Sequence, residues 1–279
     1  MADLFLRWSW RRDISNAETT EYLEKSEKAI TEGLKVVSNK GPLLIISAKI
    51  QKELGNRPEW LSKLRQAVDS NTGNEISRYL LGRAYREESK PDRAMEVLEP
   101  VIRNDFSNVR AYIEYTRAML DMGEPINKCI ATLAQCRLDG ESDAAYVGLF
   151  GGLLYLDSRF ADAKKLWDDA KEKNFSYQER KKKQFLPRDP VDRSQPFRVG
   201  GWIQVIKPGY VLIQPESGPM VITTMTWVDG TPLRVGDKVD FEITFSAKGA
   251  FAENLKRTQK SDSSPATSLP GDQLPLSLG

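Results

Sequence analysis

Apolar positions recur with a helical period from Ala17 to Phe175 and switch to two-residue alternation from Trp202 onward. The helical part opens with Ala17–Val37, where Tyr22, Ser26, Ala29, Ile30, Gly33 and Leu34 share one face. Beyond it Ala94, Cys129 and Ala163 lie 35 and 34 residues apart, each followed four residues later by Leu98, Leu133 or Trp167. Gly82 and Gly151 stand twelve residues before Ala94 and Ala163, with Thr116 in the equivalent slot of the middle copy. Small residues at a fixed period let two helices approach closely, so the pattern predicts helix pairs that stack. The register gives four copies, starting near Gly41, Glu75, Val109 and Ala144. Turn residues separate the paired helices at Gly55–Pro58, Ser89–Asp92, Gly123–Pro125 and Asp157–Ser158, and Pro58, Pro91 and Pro125 sit where proline opens a helix without losing a needed donor.

The residues then reach a family pattern. Leu81, Gly82, Tyr85, Ala94, Leu98 and Val101 follow the L-G-x-x-Y…A-x-x-x-F-x-x-A order of the tetratricopeptide repeat (TPR), and Phe150, Gly151, Leu154, Ala163, Trp167 and Ala170 repeat it. The third copy carries Tyr115, Thr116, Met119, Cys129, Leu133 and Cys136. In the first, Ala48, Leu64 and Ala67 fit but Trp60 fills a slot for a small residue, so that copy is expected to be splayed or atypical. The resemblance implies a TPR-type α-solenoid over residues 14–175, and a binding groove in place of an active site. Ala17–Val37 looks like the second half of a preceding repeat. Residues 1–13, with Trp8 and Trp10, are therefore expected to cap the array or to be the remnant of a longer polypeptide.

The first helix of each pair lines the concave face of such an array. On it Lys49, Arg83 and Arg117 form a column at 34-residue spacing, with Lys52 and Arg86 one turn further on. One reading is a clamp for an acidic peptide or a phosphate backbone. The other is a solvated helix face neutralised by Glu53, Glu87 and Glu114. The family's carboxylate-binding version also uses asparagines on the groove helices; they are missing at these positions, so recognition of a chaperone C-terminus does not carry over.

Residues 176–198 read as a linker, with seven basic residues against three acidic. Five short β-type runs follow: Trp202–Ile206, Tyr210–Gln214, Met220–Thr224, Lys238–Phe245 and Ala250–Leu255. The run Gly201–Asn254 is similar to the cold-shock domain, a five-stranded OB-fold barrel. The likeness rests on Gly201-x-Ile203, Gly209-Tyr210-Val211-Leu212-Ile213, Leu233-x-x-Gly236-x-x-Val239-x-Phe241 and Lys248-Gly249-x-x-Ala252-x-Asn254. That resemblance implies single-stranded RNA or DNA held by stacking on surface aromatics. Several of the expected rings are replaced: the first-strand positions fall on Val205 and Ile206, and Leu212 stands where another is expected. Tyr210 remains, with Trp202 and Trp227 off pattern, and the cations available are Lys181, Lys182, Lys183, Lys207 and Lys248. From Val199 to Lys256 five basic residues face six acidic ones, so electrostatic affinity would come from the linker. The alternative is a protein-contact barrel with a solvated hinge. Residues 257–279, rich in Ser, Pro and Leu, are expected to be a disordered tail.

Composition narrows the chemistry. The 279 residues carry 41 basic and 39 acidic side chains and no histidine, which excludes Ser-His and Cys-His catalysis and the commonest zinc ligand. Cys129 and Cys136 are expected on one helix roughly 10 Å apart, too far to bridge. No Walker loop, dinucleotide loop or nucleophile elbow is present, and the acidic pairs Asp139/Glu141 and Asp168/Asp169 read as solvated. The expectation is a cytoplasmic, non-catalytic adaptor without cofactor, metal or membrane anchor. It would hold a protein partner through an acidic segment, with single-stranded RNA or DNA as a second ligand. A purely protein-binding scaffold, or the sensory C-terminal part of a larger machine, are the alternatives.

Overall fold

The computed structural model describes residues 15–70, 75–137, 143–172, 175–176 and 182–260. Among them are nine helices: α1 (Asn16–Val36), α2 (Gly41–Glu53), α3 (Arg57–Ser70), α4 (Glu75–Glu87), α5 (Pro91–Asn104), α6 (Val109–Met122), α7 (Ile126–Leu133), α8 (Ala144–Leu156) and α9 (Phe160–Lys171). Seven strands follow: β1 (Arg198–Lys207), β2 (Tyr210–Pro215), β3 (Val221–Thr223), β4 (Trp227–Val228), β5 (Thr231–Pro232), β6 (Lys238–Ser246) and β7 (Gly249–Gln259). The chain divides into two compact units between Met122 and Gly123, inside the third expected repeat and upstream of the expected linker. No described helix is long and apolar enough to cross a membrane. The expected N-terminal segment 1–13, the pair Asp139/Glu141 and residues 261–279 of the tail lie outside the described residues.

In the first unit, Ser15 opens α1 with a capping box: its hydroxyl accepts from the Glu18 N–H while Glu18 accepts from the Ser15 N–H. Leu23 and Ile30 of α1 pack on Ile50 of α2. The starts of α2, α4 and α6 coincide with the sequence register. Ala48, Trp60, Leu64, Leu81, Ala84, Tyr85, Ala94 and Ala118 form one apolar cluster. Trp60 is thus no source of splaying: it is 6 % exposed, and the Lys52 ammonium lies 4.5 Å from its ring centroid. The small-residue column does what its spacing implies. A Cβ added to Gly82 would sit 2.4 Å from Leu98 Cγ, so glycine is what lets α4 lie against α5.

The second unit repeats that contact and adds a barrel. A Cβ at Gly151 would meet Trp167 Nε1 at 2.5 Å, which brings α8 against α9. Cys129 lies on α7, but Cys136 does not share that helix. Successive i→i+3 bonds, Gln135 N–H to Thr132 O and Cys136 N–H to Leu133 O, tighten and end it. Burial pushes the Cys129 thiol up to about 11, and the nearby Glu124 charge adds to that.

The barrel closes in the order β1-β2-β3-β7-β6. All its pairings are antiparallel except β3 with β7, joined at Ile222 and Phe251. Its interior is apolar, with Ile203, Val211, Ile213, Val221, Val239, Phe241 and Ile243 at most 1 % exposed. Two features lie beyond the five expected runs. The β4–β5 hairpin is tied to β7 by Arg257, which donates to Thr231 and to the Pro232 carbonyl and pairs at 3.0 Å with the buried Asp237. Phe185 exchanges both backbone hydrogen bonds with Phe245, so part of the expected linker is laid as an extra rung on β6.

Candidate functional site

The five groove cations all belong to the first unit and sit on α2, α4 and α6. Each of these helices buries one face in the apolar cluster, which leaves the cationic positions half-buried or exposed. Two carboxylates organise four of the cations. Glu87 accepts from Lys52 of α2 at 2.6 Å and from Arg83 of α4 at 3.0 Å. Glu114 accepts from Arg86 of α4 at 2.8 Å and from Arg117 of α6 at 2.9 Å, and Arg86 also reaches Asp121 at 3.6 Å. The cations therefore form a ladder that links successive repeats, with Glu87 and Glu114 as the rungs. Lys49 is exposed and in no ion pair among the described residues.

Protonation behaviour follows from this geometry. Burial works to raise the Glu87 carboxyl, but the Lys52 hydrogen bond and charge, with those of Arg83, outweigh it and hold the group below its ordinary value. Burial likewise works against the Arg83 charge; the hydrogen bond to Tyr79 and the charges of Glu87 and Glu114 overcome it.

The column stops at the fourth repeat, within the second unit. The one-residue insertion after Gly123 carries the Arg83–Arg117 position to Gly152, and the Arg86 position to Tyr155. There α8 is apolar all round, because both of its faces are covered. One packs on α9; the other takes the barrel. A Cβ on Gly148 would lie 2.5 Å from Gln184 Cβ, and one on Gly152 would lie 2.7 Å from both Phe185 and Phe245. The Tyr155 hydroxyl donates to the Pro219 carbonyl at 3.1 Å, and its ring centroid is 5.4 Å from that of Phe245. Sequence reasoning caught Gly151 through the repeat pattern and missed Gly148 and Gly152. Their signal was the uniformly apolar run Ala144–Leu156, which an exposed groove helix would not carry.

The barrel candidates do not converge. Strand register places Trp202, Val205 and Lys207 of β1 on the same outer face as Tyr210, Leu212 and Gln214 of β2, with Ile222 of β3 beside Leu212. Trp202 is 38 % exposed, and the Lys238 ammonium lies over its ring at 5.2 Å. Lys248 is at the other end of the barrel: Trp202 pairs with Lys238 at the start of β6, whereas Lys248 follows the end of β6 at Ser246. Lys183 pairs with Glu253 of β7, Lys182 is exposed, and Lys181 lies outside the described residues. Trp227 is 60 % exposed on the β4–β5 hairpin. Asp168, on α9, bonds to Lys164 at 2.6 Å and Lys171 at 2.7 Å. Among the described residues no group of side chains is arranged to hold a metal ion.

No protein-family model matches the chain, and no curated protein matches it. Solved structures do. MamA residues 41-end from Desulfovibrio magneticus RS-1 aligns at 18 % identity and TM-score 0.45, covering 62 % of this chain and 97 % of that one. A thermophilic TPR protein of Thermus thermophilus aligns at 17 % and 0.44, covering 62 % and 92 %. YrrB, a TPR protein with an unusual peptide-binding site, aligns at 13 % and 0.42, covering 61 % and 84 %. The helix pairs and the barrel described above carry the assignment of the fold: an α-helical repeat array followed by a closed β-barrel.

Proposed function

We propose that the chain is a non-catalytic adaptor that captures a protein partner on the face shared by α2, α4 and α6. The observation that carries this reading is the cation column on the first helix of three successive pairs, held in place by Glu87 and Glu114. Surface ion pairs add little stability, from nothing to about 1 kcal/mol each, so such a ladder is poorly explained by stability alone. Its cations are preorganised, and preorganised donors lose less entropy when a partner docks. The test is crosslinking and pull-down with the full chain against its Lys49→Glu/Arg83→Glu variant. Both substituted side chains are solvent-accessible, so the fold is expected to survive. Loss of a specific partner by a variant that still unfolds cooperatively, with at most the small stability loss of one surface pair, supports the reading; identical capture by the variant removes it.

A second reading concerns the barrel. Its strand order, with β3 parallel to β7, suits the cold-shock-like OB-fold that the sequence resembles. Trp202, Lys207 and Tyr210 share one outer face there. We infer that single-stranded RNA or DNA, if bound, lies on that face. Fluorescence anisotropy of labelled oligo-U and oligo-dT at low and moderate salt tests it. Binding that weakens with salt and with Tyr210→Ala supports it, and no binding at low salt excludes it.

A further inference from the structure

Trp227 is 60 % exposed, against 38 % for Trp202 and 6 % or less for Trp60 and Trp167. The hairpin that carries it is nevertheless firmly held. Its strands β4 and β5 are joined by the two-residue turn Asp229-Gly230, with both residues at positive φ, as the tightest hairpins require. One face turns inward: Val228 is buried there, and its partner Thr231 accepts from Arg257, whose guanidinium pairs with the buried Asp237. The opposite face carries the pair Trp227 and Pro232, both exposed. An indole and a pyrrolidine are thus presented together on a fixed support. The chain leaves the described residues beside it. Gln259, which pairs with Lys238, and Lys260 line one cleft with Asp229 and Thr231, so β7 ends at the hairpin tip. Trp227 lies two residues from Asp229, about 7 Å of extended chain. Residues 261–279 then supply two Leu-Pro steps, Leu269-Pro270 and Leu274-Pro275, the second followed by Leu276. The first begins nine residues past Lys260, and nine residues extend to about 30 Å, so both steps reach the indole.

We propose that the Leu/Pro stretch 269–276 of this same chain folds back onto Trp227 and Pro232 and withholds that face from other ligands. Proline fixes φ, so such a stretch is already extended before it docks and loses little entropy on an aromatic surface. The indole face takes a pyrrolidine ring while the flanking leucines cover its edges, as in other recognition of proline-containing segments by aromatic grooves. Tethering decides the occupant. A short linker holds the stretch at roughly millimolar effective concentration, which a free segment of the same chemistry would have to exceed. Charge agrees with this choice: the stretch 261–279 carries two acidic residues, Asp262 and Asp272, and no basic one, while Arg234 and Lys260 beside the hairpin are exposed cations.

The experiment is NMR of the full chain with isotope-labelled tryptophan indoles and a nitroxide spin label attached through Ser277→Cys. Cys129 and Cys136 are buried, so the label goes to the introduced thiol. The Trp227 signal is identified by its absence in Trp227→Phe. The expected result is loss of about half or more of the Trp227 signal, as for a segment docked in most molecules at millimolar effective concentration. Trp167, packed on Phe245 near the end of β6 remote from Lys238, keeps its signal. Adding Leu274→Asp/Leu276→Asp removes the apolar contact without touching the folded part, and the Trp227 signal returns. A loss that persists unchanged in that variant reflects the tether alone and overturns the proposal. No loss at all also overturns it and leaves the hairpin to an external ligand. A larger loss at Trp202 than at Trp227 overturns it in favour of the barrel's outer face. Spin-labelled chains without isotope are then mixed with isotope-labelled chains without spin label. An equal loss in that mixture makes the occupant a second copy and overturns the proposal; an undiminished Trp227 signal there supports docking within one chain.

Discussion

At the scale of single residues, the glycines of α8 do more than any charged group to shape the second unit. Gly151 meets Trp167 on one side of the helix, and Gly148 and Gly152 meet Gln184, Phe185 and Phe245 on the other. Gly152→Ala would place a methyl 2.7 Å from two aromatic rings that are themselves packed at a 5.8 Å centroid separation, so neither ring can retreat cheaply. The expected cost is about 1–3 kcal/mol, as for other overpacked cores, seen as a lower melting temperature and a weaker near-UV signal from the aromatic cluster. Gly55→Ala is the control for backbone strain alone, since its φ is +72° but no atom lies within 4 Å of the added carbon. An unchanged Gly152→Ala variant would mean that the rings do not pack as described. The repeat pattern made Gly151 legible in the sequence. Gly148 and Gly152 were not, because the residues they meet lie 33 or more positions away.

At the scale of elements, the ladder ties α2 to α4 through Glu87 and α4 to α6 through Glu114. The Glu87 carboxyl is held below its ordinary value of 4.5, so its pairing contributes stability above that pH and loses it as pH falls through the lower, folded-state value. Hydrogen exchange within α2 and α4, followed from pH 6 to pH 3.5, is expected to show this acid loss. Glu87→Gln should start less protected at pH 6 and lose less on acidification. Parallel pH profiles for the two proteins would show that the rung carries no differential stability. The placement of the cations on one series of helices was legible from a 34-residue spacing. Their pairing was not: the sequence left a bare clamp and a neutralised face equally open, because ion pairing depends on how closely neighbouring helices approach and which rotamers meet.

At the scale of the whole molecule, the chain divides into Met1–Met122 and Gly123–Gly279, so the last helix pair belongs with the barrel. A chain ending at residue 175 would leave the Gly148, Gly152 and Tyr155 face of α8 uncovered. It is expected to self-associate at micromolar concentration in light scattering after size exclusion; a stable monomer with an unchanged melting temperature would contradict the packing. The sequence by itself determined the start of α2, α4, α6 and α8, the glycine contacts of α4 with α5 and of α8 with α9, and the five strands of the barrel. These follow from periodicity and turn chemistry, which are local and therefore written along the chain. Only the tertiary structure decided what covers the second face of α8, where Phe185 pairs, and which cations are neutralised. Those depend on groups far apart in sequence, whose meeting leaves no period to read.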